Sequence, residues 1–115
     1  MATAVTLPWP PSVNRYWRSV NGRNILSEQG RNYRLLAGVE LIGCEQKTGP
    51  CSVAIVAYPP DNRRRDVDNI LKAPLDALTH SGAIEDDSCV RFLSIRKADP
   101  DPERPRLEVT IDIAP

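Results

Sequence analysis

The segment Cys51-Ser-Val-Ala-Ile-Val-Ala-Tyr58 constrains the fold of this chain more than any other. It is a near-continuous apolar run of eight residues, closed by Pro59-Pro60. Proline cannot donate to a ladder, so the run must end there. Such a segment suits a central strand buried on both faces. Leu107, Val109, Ile111 and Ile113 alternate with Glu108, Thr110 and Asp112, which reads as a half-exposed strand. Thr3 to Leu7 and Cys89 to Ile95 supply two more strands, and Asn24 to Leu26 a brief one.

Two helices complete the pattern. Ser27 is a helix N-cap, and Glu28 suits the first turn. Tyr33, Leu36, Ala37, Leu41 and Cys44 recur at helical spacing, so a helix is predicted over 28–46 with these residues inward. Gly49-Pro50 stops it. A second helix is predicted over Asp66 to His80, with Gly82 as its C-terminal stop. Measured from Asp68, Lys72 falls at about 40° and Asp76 at about 80°, while the apolar residues fall at roughly 180–340°. Pro74 lies inside this helix and removes one of its hydrogen bonds. The expected fold is α+β: one small domain over 1–115, with a mixed, mostly antiparallel sheet of about four or five strands and two helices packed on it.

Composition excludes other classes. With 115 residues, 41% hydrophobic and 26% charged, the chain can bury a core, and it is neither a coiled coil nor a disulfide scaffold. Cys44, Cys51 and Cys89 lack CxxC spacing. No apolar run approaches the ~20 residues of a membrane helix. Met1 to Pro11 has no basic start and carries three prolines, unlike a signal peptide. The expected location is the cytoplasm, with reduced thiols.

Net charge is zero, but its layout is uneven. Residues 1–65 hold nine basic and four acidic residues; residues 66–115 hold six and eleven. Twelve of the fifteen basic residues are arginine, the better fork for phosphate. Asn14, Arg15, Tyr16, Trp17 and Arg18 lie in a predicted exposed arm, where aromatics between arginines suit base stacking and phosphate contact. Tyr16 and Trp17 can equally anchor that arm to the core. Arg63, Arg64 and Arg65 close a polar loop and are expected, with Arg15 and Arg18, to contact DNA phosphates.

Arg65 leads directly into Asp66, Asp68, Asn69 and Lys72, and Asp86-Asp87 follows the second helix. That helix spans about 18 Å, and an extended return from Gly82 to Asp87 covers about 17 Å. The spacing therefore permits one carboxylate cluster built from both segments. Clustered carboxylates near arginines suit Mg²⁺ acting on a phosphodiester, with Lys72 steadying the transition state. Read blandly, Asp68 is a helix-start charge, Asp68–Lys72 a surface pair and Asp86-Asp87 a turn. His80 reads as a solvent-exposed residue at a helix end.

The ordered motifs Pro10-Pro11-Ser12-Val13-Asn14-Arg15-Tyr16, Asp66-Val67-Asp68-Asn69-Ile70-Leu71-Lys72-Ala73-Pro74-Leu75-Asp76-Ala77-Leu78, and Gly82 with Asp86-Asp87 resemble the RusA family of small, prophage-type Holliday junction endodeoxyribonucleases. The resemblance covers nearly the whole chain. It implies metal-binding carboxylates at Asp66, Asp68 and Asp87 and an essential lysine at Lys72. Asn69, Asp76 and Asp86 also hold motif positions, Asn69 as a DNA contact and Asp76 and Asp86 in supporting roles. It further implies a homodimer using Mg²⁺, with Mn²⁺ as a substitute, and no nucleotide cofactor. Such an enzyme nicks two opposed strands of a four-way DNA junction and leaves 5′-phosphates, in recombination and repair. A non-catalytic junction-binding module, or a metal nuclease cutting other branched DNA such as flaps, remain the alternatives.

Overall fold

The computed structural model describes residues 2–114. Four strands form one sheet in the order β1-β6-β4-β5: β1 (Thr3–Pro8), β4 (Cys51–Tyr58), β5 (Val90–Lys97) and β6 (Arg106–Ile113). β1 and β4 both pair antiparallel to β6, while β5 pairs parallel to β4. A second, two-stranded sheet joins β2 (Trp17–Val20) to β3 (Arg23–Leu26). Its turn is Asn21-Gly22, both at positive φ (51° and 75°). Asn and Gly tolerate that region best, which is why they make tight hairpins. Three helices accompany the strands: α1 (Val13–Tyr16), α2 (Glu28–Glu40) and α3 (Asp68–Ser81). The α+β expectation holds, with α1 added. No helix among the described residues is long and apolar enough to cross a membrane.

The core lies on one face of the sheet only. Leu7, Val53, Ile55, Leu107, Val109 and Ile111 point there, and Tyr33, Ala37, Ile70, Ala73, Ala77 and Leu78 meet them from the helices. The predicted double burial of Cys51–Tyr58 is therefore corrected. β4 is an inner strand, but Ala54 is exposed and Ser52 and Val56 are half-buried on the open face. Its apolar run reflects small residues that need no cover, so period-2 burial is hidden from a hydrophobicity reading.

The helix starting at Ser27 forms as expected, its Oγ accepting from the Gly30 amide at 3.0 Å. It ends at Glu40 rather than at residue 46, and a turn carrying Gly43 at φ 81° follows. Leu36 is 58% exposed, not inward, and with Leu35, Val39 and Ile42 it forms an exposed apolar stripe. Cys44 is only partly buried. Gly30 permits a close crossing: a Cβ there would lie 2.5 Å from the Tyr16 carbonyl oxygen. α3 begins at Asp68 and stops at Gly82, which is left-handed at φ 84°. It continues through Pro74, whose ring is buried in the core. Packing of that ring offsets the lost backbone bond.

Candidate DNA and metal site

α3 exposes Asp68 at its start and buries Ile70, Ala73, Pro74, Ala77 and Leu78 along its inner face. Asp66 and Asp68 flank its start, both exposed. Among the described residues neither carboxylate has a hydrogen bond or an ion pair. Helix N-termini favour such negative charge, so the two acids are tolerated without partners. Arg64, Arg65, Asp66 and Asn69 line one hollow of about 430 Å³ together with Trp9, Pro10, Ser12 and Ile70. Arg65 is held in place there. Its Nη1 bonds an Asp61 carboxylate oxygen at 2.8 Å, and its guanidinium lies 5.6 Å from the Trp9 ring centroid. Asp61 sits below the usual carboxylate range, chiefly because Arg65 donates to it. Arg63 and Arg64 project into solvent beside it.

Lys72 lies one turn beyond Asp68, its Nζ 5.7 Å from the Trp17 ring centroid. Trp17 is half-buried and meets Tyr16 edge-on at 5.3 Å. Asn14, Arg15 and Arg18 are exposed on α1 and β2. Tyr16 is fully buried, so it does not offer its ring to a base; the anchoring alternative holds for it. Its hydroxyl donates to the Asp76 carboxylate. Arg34 grips the same carboxylate with Nε at 2.7 Å and Nη2 at 3.1 Å. Burial pushes the Asp76 pKa up, but the hydrogen bonds from Arg34 and Tyr16 outweigh it and hold the group below its ordinary value. Burial, reinforced by Asp76, raises the Tyr16 hydroxyl. Asp76 is thus a fastener between α1, α2 and α3. Arg34 was missed in the sequence because a helical arginine carries no local sign of a partner 42 residues away.

Asp86 and Asp87 begin a short 3-10 turn (Asp87–Cys89) that leads into β5. Asp86 caps it, accepting from the Ser88 amide at 3.0 Å, and this bonding to Ser88 lowers its pKa. The expected return of Asp87 to Asp66 and Asp68 does not occur within the chain. Val90 at the start of β5 pairs with Cys51 at the start of β4, and the Ile84 amide bonds back to the Leu78 carbonyl. At the opposite end of β5, Lys97 Nζ bonds the Arg65 carbonyl at 2.7 Å. The acids at Asp66 and Asp68 and the acid at Asp87 therefore sit at opposite ends of a helix about 21 Å long. Among the described residues no group of three or more His, Cys, Asp or Glu side chains comes together in a way that could hold a metal ion. Asp66 and Asp68 have the donor chemistry a hard cation takes, unpaired oxygens, but the three-carboxylate set does not fit a metal within one chain.

Fold and surface define a small α+β domain that presents arginines and unpaired acids together, an arrangement suited to phosphodiesters. Residues 8–112 match the family Endodeoxyribonuclease RusA. The chain is 42% identical over 110 residues to the crossover junction endodeoxyribonuclease rusA of Enterobacteria phage 82, covering 93% of this chain and 91% of that protein. It is 40% identical over 111 residues to the crossover junction endodeoxyribonuclease RusA of Escherichia coli (strain K12), covering 94% and 92%. The Shigella sonnei (strain Ss046) protein of the same name is 41% identical over 114 residues, at 94% and 92% coverage. This chain belongs to the RusA endodeoxyribonuclease family.

Proposed function

We propose that this protein is a Mg²⁺-dependent endodeoxyribonuclease that resolves four-way DNA junctions in the cytoplasm, by paired nicks leaving 5′-phosphates, in recombination and repair. The observation that carries the reading is the pair of unpartnered carboxylates, Asp66 and Asp68, beside Arg64 and Arg65 in a chain matching relatives of that activity. Asp66, Asp68 and Asp87 would hold the metal, and the bound ion supplies Lewis-acid polarisation and an acidified water. Lys72 brings an ammonium within one turn of Asp68 and offsets charge gathering on the phosphate. Arg15, Arg18, Arg63 and Arg64 contact backbone phosphates, and Trp17 presents the aromatic surface that Tyr16 does not.

The separation of Asp87 from the other two acids makes the second subunit necessary. β5 is an edge strand with one unpaired side, and Phe92 (55% exposed) and Leu93 (42%) stand on its two faces. Exposed edges invite pairing. An antiparallel pairing with β5 of a second copy exchanges its ends, so Asp87 of the partner subunit approaches Asp66 and Asp68. Each interface of this kind creates two equivalent sites, as a two-fold junction requires.

The test is cleavage of a labelled four-way junction with and without Mg²⁺. Asp68→Asn is expected to keep junction affinity and lose cutting, and native-rate cutting by this variant removes the metal assignment. Mixed dimers of Asp68→Asn and Asp87→Asn chains test the shared site. One of their two sites is intact only if the acids come from different chains, so nicking of one strand is expected. A silent mixed dimer refutes the sharing. The distance to Asp87 also favours a second reading, a junction binder that does not cut, and absence of Mg²⁺-dependent nicking in the native protein selects it.

A further inference from the structure

The hollow lined by Trp9, Arg65 and Asn69 does more than border the acids. Its volume, about 430 Å³, falls within the ~300–1,000 Å³ range of small-molecule sites. One wall is rigid and aromatic. Trp9 stands between Pro8 and Pro10, and the Tyr33 hydroxyl donates to the Pro8 carbonyl at 2.9 Å. Arg65 lies against the same ring, pinned by Asp61 at 2.8 Å. The rest of the polar lining includes two uncommitted groups: among the described residues, neither the Asn69 carboxamide nor the Ser12 hydroxyl has a hydrogen-bond partner. Asp66 is part of the same lining. An aromatic ring, free amide donors and acceptor, and a carboxylate in the lining together suit a planar heterocycle whose phosphate lies at the acids.

We infer that this hollow receives the base of one unstacked nucleotide next to the cut, with Trp9 and Arg65 as the stacking wall and Asn69 reading the base edge. The inference rests on the proposed nuclease activity and names its base-recognition subsite. A base held in a continuous duplex cannot enter a concavity, whereas the cost of extrusion is smallest for a base whose stacking is already broken, as at a branch point. The same pocket therefore favours branched DNA over linear duplex and selects sequence. Stacking of this kind tolerates any base, so discrimination falls to the Asn69 amide, which offers two donors and one acceptor.

The experiment uses four-way junctions carrying a single abasic or 2-aminopurine nucleotide at each position within two nucleotides of the cut. The native protein is expected to cut roughly 5- to 150-fold more slowly when one particular position is abasic. Trp9→Ala is expected to lose that dependence, Trp9→Phe to keep most of it, and Asn69→Ala to change the ranking of the four bases while leaving the melting temperature in place. 2-Aminopurine fluorescence in complexes with Asp68→Asn reads occupancy without cutting: the signal is expected to change at that one position, and less so when Trp9→Ala is added. Equal native rates on all abasic substrates, or an unchanged base ranking in both Trp9→Ala and Asn69→Ala, overturns the pocket and leaves the nuclease reading intact. Loss of all junction cutting by the native protein overturns the nuclease reading, and the fluorescence arm then still decides base capture.

Discussion

Asp68 and Asp76 occupy the same helix, eight residues apart, and teach opposite lessons. Asp76 is closed in by three donor atoms from Arg34 and Tyr16, so most of its acceptor capacity is already committed. Asp68 is exposed and has no partner among the described residues. Residue type and helical face are shared, so the difference comes entirely from what the fold brings to each position. α1 and α2 pack against α3, and its first turn buries Ile70 but leaves the Asp68 face open among the described residues. Unpaired acids at a helix start are cheap to keep because the helix end and nearby water solvate them. A half-buried acid without partners would not be.

That contrast can be broken by substitution. The largest effect is expected at the exposed end. Asp68→Asn should lower junction cleavage by on the order of 10²–10³-fold or more while leaving unfolding free energy within about 0.5 kcal/mol, read by nicking assays beside urea denaturation. Next comes Asp76→Ala, which strands the Arg34 charge and the Tyr16 hydroxyl. A loss of about 2–3 kcal/mol is expected, seen as a lower urea midpoint, and a native midpoint would show that the network contributes nothing. Smallest is the acid response. The folded Asp76 carboxyl is held below its unfolded value of about 3.9, so its contribution is complete above that pH and fades as pH falls through the folded pKa. The stability gap between native protein and Asp76→Asn should therefore narrow below about pH 4 and stay constant from pH 5 to 7.

Much of the local structure was legible along the chain. The Ser27 cap, the Gly82 stop, and the alternation at Leu107–Ile113 each depend on contacts a few residues away, and the structure contains all three. The Asn21-Gly22 turn carried a hairpin signal that the reading of an open arm passed over. The longer apolar spacing of α2 misled, since Leu36 belongs to an exposed stripe rather than to the core. The site was half legible. Asp66, Asp68, Asn69 and Lys72 are neighbours by helical geometry, and the sequence places them together. Trp9 was not visible as a partner of Arg65, because 56 residues of chain separate them.

Sequence alone determined the four strands of the main sheet, the β3 strand, the starts of the two long helices and which acids begin α3, because propensity, capping and turn chemistry act over single turns. Tertiary structure decided which ends meet. Asp87 lies at the far end of α3 because β5 runs parallel to β4, and a parallel pair must be joined by a crossover that carries the chain back to its starting side. Lengths of helix and loop are the same for either strand direction, so no spacing in the sequence could have distinguished them.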